Sequence, residues 1–186
     1  MGFIHRKTLG RVAALLLFGA RVAGQSPPDF SGSWIVVSES AASGATMGSA
    51  PPTLSAQGNM GSGWPSEIQL TQDATTLTLQ FTYFHPRDIQ APFVFKYLLD
   101  GPASRNAINL GRGPQEQVSK TTRQGDSLVI TTTHAFTHPL NGQAMTSETR
   151  QVLTLASPTQ LVIETTRSAV MGGKSSTTKT TYSRKN

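Results

Sequence analysis

The chain has no cysteine, which excludes a disulfide framework and any thiol chemistry and leaves packing and strand pairing to stabilise the fold. No apolar run approaches the ~20 residues that a membrane-crossing helix needs. Beyond the first 24 residues no sustained helical period recurs either, so almost no helix is expected. The 10 acidic residues are spread singly, several of them in turns where Asp satisfies the backbone. With no Ser/His/Asp set and no paired carboxylates, nothing marks catalytic residues, and the expectation is a protein that is not an enzyme. Gly111-Arg112-Gly113 reads as a loop, not a phosphate-binding fingerprint, because no helix follows it.

What is present first is a cluster of Arg6, Lys7 and Arg11, an apolar run from Val12 to Ala20, and then Arg21-Val22-Ala23-Gly24. Charged start, short apolar stretch and small-residue cleavage site are the parts of a secretory signal. Residues 1–24 are therefore expected to leave as a leader, with residues 25–186 as one domain of ~160 residues, enough for a core of its own. The leader takes four basic residues and no acid with it, so 16 basic residues become 12 against the same 10 acidic ones and the net charge falls from +6 to +2. The high isoelectric point then belongs largely to the leader and the C-terminal Lys/Arg residues, and no nucleic-acid partner is expected. An exported chain without cysteine fits a bacterial periplasmic or secreted protein, with no membrane span once the leader is removed.

The rest of the sequence reads as strands. Leu77, Leu79, Phe81 and Tyr83 alternate with Thr76, Thr78, Gln80 and Thr82, the period of a strand with one buried face. Phe93, Phe95, Tyr97 and Leu99 share a face in the same way. Three hairpins repeat one plan, turning at Asp73-Ala74, at Gln124-Gly125-Asp126 and at Ser157-Pro158. Counting from Ser33 to Glu39 through a weaker strand at Arg105 to Leu110 to a last strand at Ser175 to Arg184 gives nine or ten strands in up-and-down order. Such a meander closes into an antiparallel β-barrel of eight to ten strands, which removes its exposed edges. A two-sheet sandwich is the alternative.

In a meander, alternate connections fall at one end. The tight turns near Asp73, Asp100-Gly101, Gln124 to Asp126 and Ala156 to Thr159 share an end next to Leu77/Leu79, Leu128/Ile130 and Leu161/Ile163, which should be plugged by core. The longer links, Ser40 to Pro65, His85 to Pro92, Gly111 to Pro114 and Thr137 to Gln143, with the short turn at Val170 to Gly173, define the other end. Towards it the inward positions turn polar, from Leu128 and Ile130 to Thr132 and His134, and from Leu161 and Ile163 to Thr165 and Arg167. Either a polar-lined cavity or a tightly filled lumen with the polar residues outside satisfies this pattern.

Pro28-Asp29-Phe30-Ser31-Gly32-Ser33-Trp34 follows the leader, and Tyr182-Ser183-Arg184 closes the last strand. Phe-x-Gly-x-Trp entering a first strand resembles the opening motif of the lipocalin and wider calycin barrels, and the closing segment is similar to the strand whose Arg packs over that Trp. The chain also resembles small exported bacterial proteins that begin Phe-Ser-Gly-x-Trp and carry a hairpin like Gly125 to Thr131. The resemblance implies a lipocalin-like barrel with the motif at its closed end, a long first connection folded over the open end, and binding of a small molecule. It names no ligand.

The ligand-binding residues expected on this reading are Phe81, Tyr83, Phe95, Tyr97, His134 and Arg167 around the mouth and Trp64 on the first connection, where Met47 or Met60 could join it; Trp64 anchoring that loop to the barrel is the alternative. Arg167 calls for an anion if it faces inward, either on a ligand or from Glu148 or Glu164 across strands. On an unbroken strand His134 and His138 stand ~13 Å apart, so a metal would need a bend or a third ligand such as His85, and none is expected. No cofactor is implied. The expected partner is a small apolar or amphipathic ligand; a filled barrel serving as a protein-interaction or envelope-structural module is the competing reading.

Overall fold

A computed structural model describes residues 27–42, 63–82, 92–109, 114–138, 141–169 and 174–185. The expected leader, Met47, Met60, Tyr83, His85 and the Gly111 to Gly113 loop lie outside the described residues. Ten strands form one antiparallel sheet: β1 (Gly32–Ala42), β2 (Glu67–Gln72), β3 (Thr76–Phe81), β4 (Phe93–Leu98), β5 (Ser104–Asn109), β6 (Pro114–Gln124), β7 (Ser127–Thr137), β8 (Ala144–Ser157), β9 (Gln160–Arg167) and β10 (Ser176–Arg184). The order across the sheet is β4-β3-β2-β1-β10-β9-β8-β7-β6-β5. Each strand pairs with its sequence neighbours except that β4 and β5 share no ladder, and β1 also pairs with β10, joining the first and last strands. The sheet curls into a nearly closed barrel rather than splitting into two layers.

Closure at β4 and β5 does not use a backbone ladder. The Asn106 amide accepts from Lys96 N at 2.8 Å and donates to Lys96 O at 3.0 Å, and Ser104 Oγ accepts from Leu98 N at 2.7 Å. Both side chains are buried, so they satisfy strand-edge groups that would otherwise be costly to bury. Beyond them Leu99 bridges to Thr121 of β6. Asp100, in the left-handed region at φ 52°, accepts from Arg123 N at 2.8 Å and pairs with Arg123 Nε at 3.1 Å.

The end with the tight turns is filled. Leu70, Leu77, Leu128, Leu153, Leu161 and Ile163 are all fully buried, as their alternation along the strands requires. Phe30 and Trp34 seal this end: Trp34 Nε1 donates to the Phe30 carbonyl at 3.0 Å, and the Arg184 guanidinium lies 4.4 Å above the Trp34 ring. Arg184 also donates to the carbonyls of Ser31 at 2.6 Å and Pro158 at 2.9 Å, tying the first strand to the β8-β9 turn. Gly32 lies beneath it at φ 145°, where a Cβ would run into the guanidinium.

Candidate functional site

The inward residues change character in layers across the paired strands. Leu128, Leu153 and Ile163 stand in register across β7, β8 and β9. One step towards the other end the same strands place Ile130, Gln151 and Thr165, and one step further Thr132, Thr149 and Arg167. Thr132 and Thr165 are buried and so face the lumen, with Thr132 hydrogen-bonded to Ser119 of β6 at 2.9 Å. The polar Thr positions are thus inside the barrel, and the lumen they line is not filled.

A cavity of about 260 Å³ opens in this half. One wall is aromatic: Phe81, Phe93 and Phe95 from β3 and β4, with Phe81 lying 5.5 Å from Phe93 and 5.7 Å from Phe95 at interplanar angles of 19° and 14°. The facing wall is polar, formed by Gln117, Thr132, His134, Thr149, Gln151 and Arg167 from β6 to β9. An apolar body with a few convergent polar groups is the general form of a small-molecule pocket. Among the described residues no carboxylate lines it. Gln117 adds a buried Oε1 without a hydrogen-bond partner among the described residues.

Trp64 differs from the picture of a lid. It is 4% exposed, inserted into the lumen beside Tyr97 with ring centroids 6.4 Å apart, and its side chain hydrogen-bonds the Tyr97 hydroxyl. The Tyr182 hydroxyl donates to the carbonyl of Pro65 at 3.0 Å, so the end of the first connection is pinned inside the barrel. Trp64 therefore forms a cavity wall next to the filled half and does not cover the mouth. Burial pushes the Tyr97 phenol well above its ordinary value, the hydrogen bond with Trp64 opposing this in part, and the group stays neutral.

Arg167 and His134 carry the charge chemistry. Burial, and then the positive charge of Arg167, hold the His134 imidazole below its ordinary value. Burial also lowers Arg167, while Glu39 on β1 opposes that shift; the guanidinium remains charged. Neither Glu148 nor Glu164 forms the cross-strand ion pair expected of it: both are exposed, pointing away from the lumen by the alternation of β8 and β9. The ion pairs among the described residues are Arg105–Glu116, Arg123–Asp100 and Lys185–Glu67, all away from the cavity.

Six of the seven expected residues, Trp64, Phe81, Phe95, Tyr97, His134 and Arg167, line this one cavity, and Tyr83 falls outside the described residues. Gly63, Phe93 and Gln117 join them without having been expected as site residues. Phe93 was legible from its alternation with Phe95 and Tyr97. Gln117 lies one alternation before Ser119 on β6, a signal present only once the register with β7 is fixed.

Comparison with protein-family models, curated proteins and solved structures finds no match. Among the described residues no group of three or more His, Asp or Glu side chains is placed to hold a metal ion, and no helix is long and apolar enough to cross a membrane.

Proposed function

We propose that this is an exported, non-enzymatic, lipocalin-like carrier that binds a small, partly apolar molecule in the open half of the barrel. The single observation behind this reading is the cavity of about 260 Å³ with an aromatic wall facing a polar one. Its volume is close to the lower bound of ~300 Å³ usual for ligand pockets, which favours a compact ligand. Apolar burial against the Phe slab supplies affinity at roughly 25 cal/mol per Å² removed from water, and the polar wall selects orientation. The charged start and short apolar run of residues 1–24 support export to a periplasm or beyond. The Phe30 to Trp34 motif, with Arg184 over the Trp34 ring, supports the lipocalin-like reading.

The test is binding of an apolar fluorescent probe by the purified protein and by Thr149→Phe, which fills the cavity from its polar wall. Saturable binding that Thr149→Phe abolishes, with an unchanged circular dichroism spectrum, is the expected result. Absence of probe binding, together with a native mass equal to that of the bare chain after gentle purification, would turn the reading towards a protein-interaction module.

A further inference from the structure

We propose that the cavity takes an organic anion of about nine non-hydrogen atoms, its acid head on Arg167 and its apolar body along Phe81, Phe93 and Phe95. This deepens, and rests on, the small-molecule reading above. The size follows from the cavity volume divided by about 30 Å³ for each water-sized unit.

The charge argument starts from strand alternation. Leu161, Ile163, Thr165 and Arg167 share the inward face of β9, so the guanidinium is held at the cavity by the same pattern that buries the core. Its cross-strand neighbours are Thr149 on β8 and Ser176 on β10, neither of them charged. A Cβ placed on Gly63 would lie 3.4 Å from one guanidinium nitrogen, so the head group packs against the bare backbone at the cavity wall.

Among the described residues no acid lines the cavity and no carboxylate comes within ion-pairing distance of Arg167. Glu39 acts on it only at longer range. A half-buried cation without a counter-ion at contact is costly, and a planar guanidinium recognises carboxylate or phosphate oxygens through paired N–H donors. His134, kept neutral by burial and by Arg167, retains one ring N–H that can donate to the same anion. A cationic ligand would meet Arg167 unscreened. A neutral alcohol would leave the guanidinium as it is.

Isothermal titration of the purified protein with octanoate, octyl phosphate, 1-octanol and octylamine reads the proposal directly, since the four share a tail and differ in head. At least one of the two acids is expected to bind about tenfold or more tightly than octanol, and octylamine weakest, as a charge-assisted pair at a partly buried site predicts. The preference between octanoate and octyl phosphate identifies which acid head the site favours. Arg167→Met should weaken the preferred acid about tenfold or more while changing octanol less than about threefold, and Arg167→Lys should recover part of the loss. Octanol binding as tightly as both acids overturns the anion assignment while leaving the small-molecule reading intact. Failure of all four to bind overturns that reading too. The comparison of heads on the unmutated protein keeps the test decisive if Arg167→Met does not fold.

Discussion

The two halves of the barrel are built from the same strands but solve opposite problems. In the closed half, Leu128, Leu153 and Ile163 meet in register, Leu161 is buried one layer further in, and Trp34 seals the end under Arg184, so the inward face is apolar and full. In the open half the same strands carry Thr132, Thr149, Gln151 and Arg167, facing an aromatic slab across open space. Buried apolar packing is concentrated in the first half, and the second keeps open space. Only two to four positions along each strand separate these roles, because strand alternation places a new inward side chain at every second position.

The largest expected effect breaks the contrast by cutting into the closed half. Leu153→Ala removes a fully buried side chain and should cost about 2–5 kcal/mol of unfolding free energy. Thr149→Ala, two alternations along the same strand at the cavity, should cost less than about 1 kcal/mol. Urea denaturation of the two variants checks the difference. Similar costs would mean that the open half is packed as tightly as the closed one.

The next effect is at the seam. Asn106→Leu removes both hydrogen bonds to Lys96 and leaves its N–H and C=O without their partner, for a cost of about 1–3 kcal/mol. Hydrogen exchange should accelerate at the Lys96 and Leu98 amides before it does in β8. Unchanged exchange at Lys96 would show that the Asn106 side chain does not hold β4 to β5.

The smallest effect sharpens the contrast through pH. His134 has its folded-state value lowered by burial and by Arg167, so folding favours the neutral imidazole. Its contribution is complete above the ordinary imidazole value of about 6.5 and is lost as pH falls through the lowered folded value, because the unfolded chain takes up the proton first. His134→Asn should flatten that part of the stability profile. In the unmutated protein, a bound acid beside Arg167 should raise the His134 value, measured by the NMR titration of its ring protons.

Much of this architecture can be read from alternation alone. Leu77, Leu79 and Phe81 declare one face of β3, and sorting the links by length placed the cavity end, since a meander has no freedom in where successive turns fall. The pairing of Trp34 with Arg184 was implied by the resemblance of the two terminal segments to calycin opening and closing motifs, not by alternation. The seam was not legible: Asn106 and Ser104 act by side chain on the backbone of another strand, which leaves no periodic trace. The depth of Trp64 was also hidden, because what fixes it is the Tyr182 hydroxyl on Pro65, a contact between residues 117 positions apart.

The most direct test of the division between the halves is mapping backbone amide shifts as octanoate is added to the protein. The account predicts saturable shifts at Phe81, Phe95, Gln151 and Arg167, with Leu128, Leu153 and Leu161 unmoved. Shifts centred on the closed half, or spread over the outer faces of the strands, would contradict it.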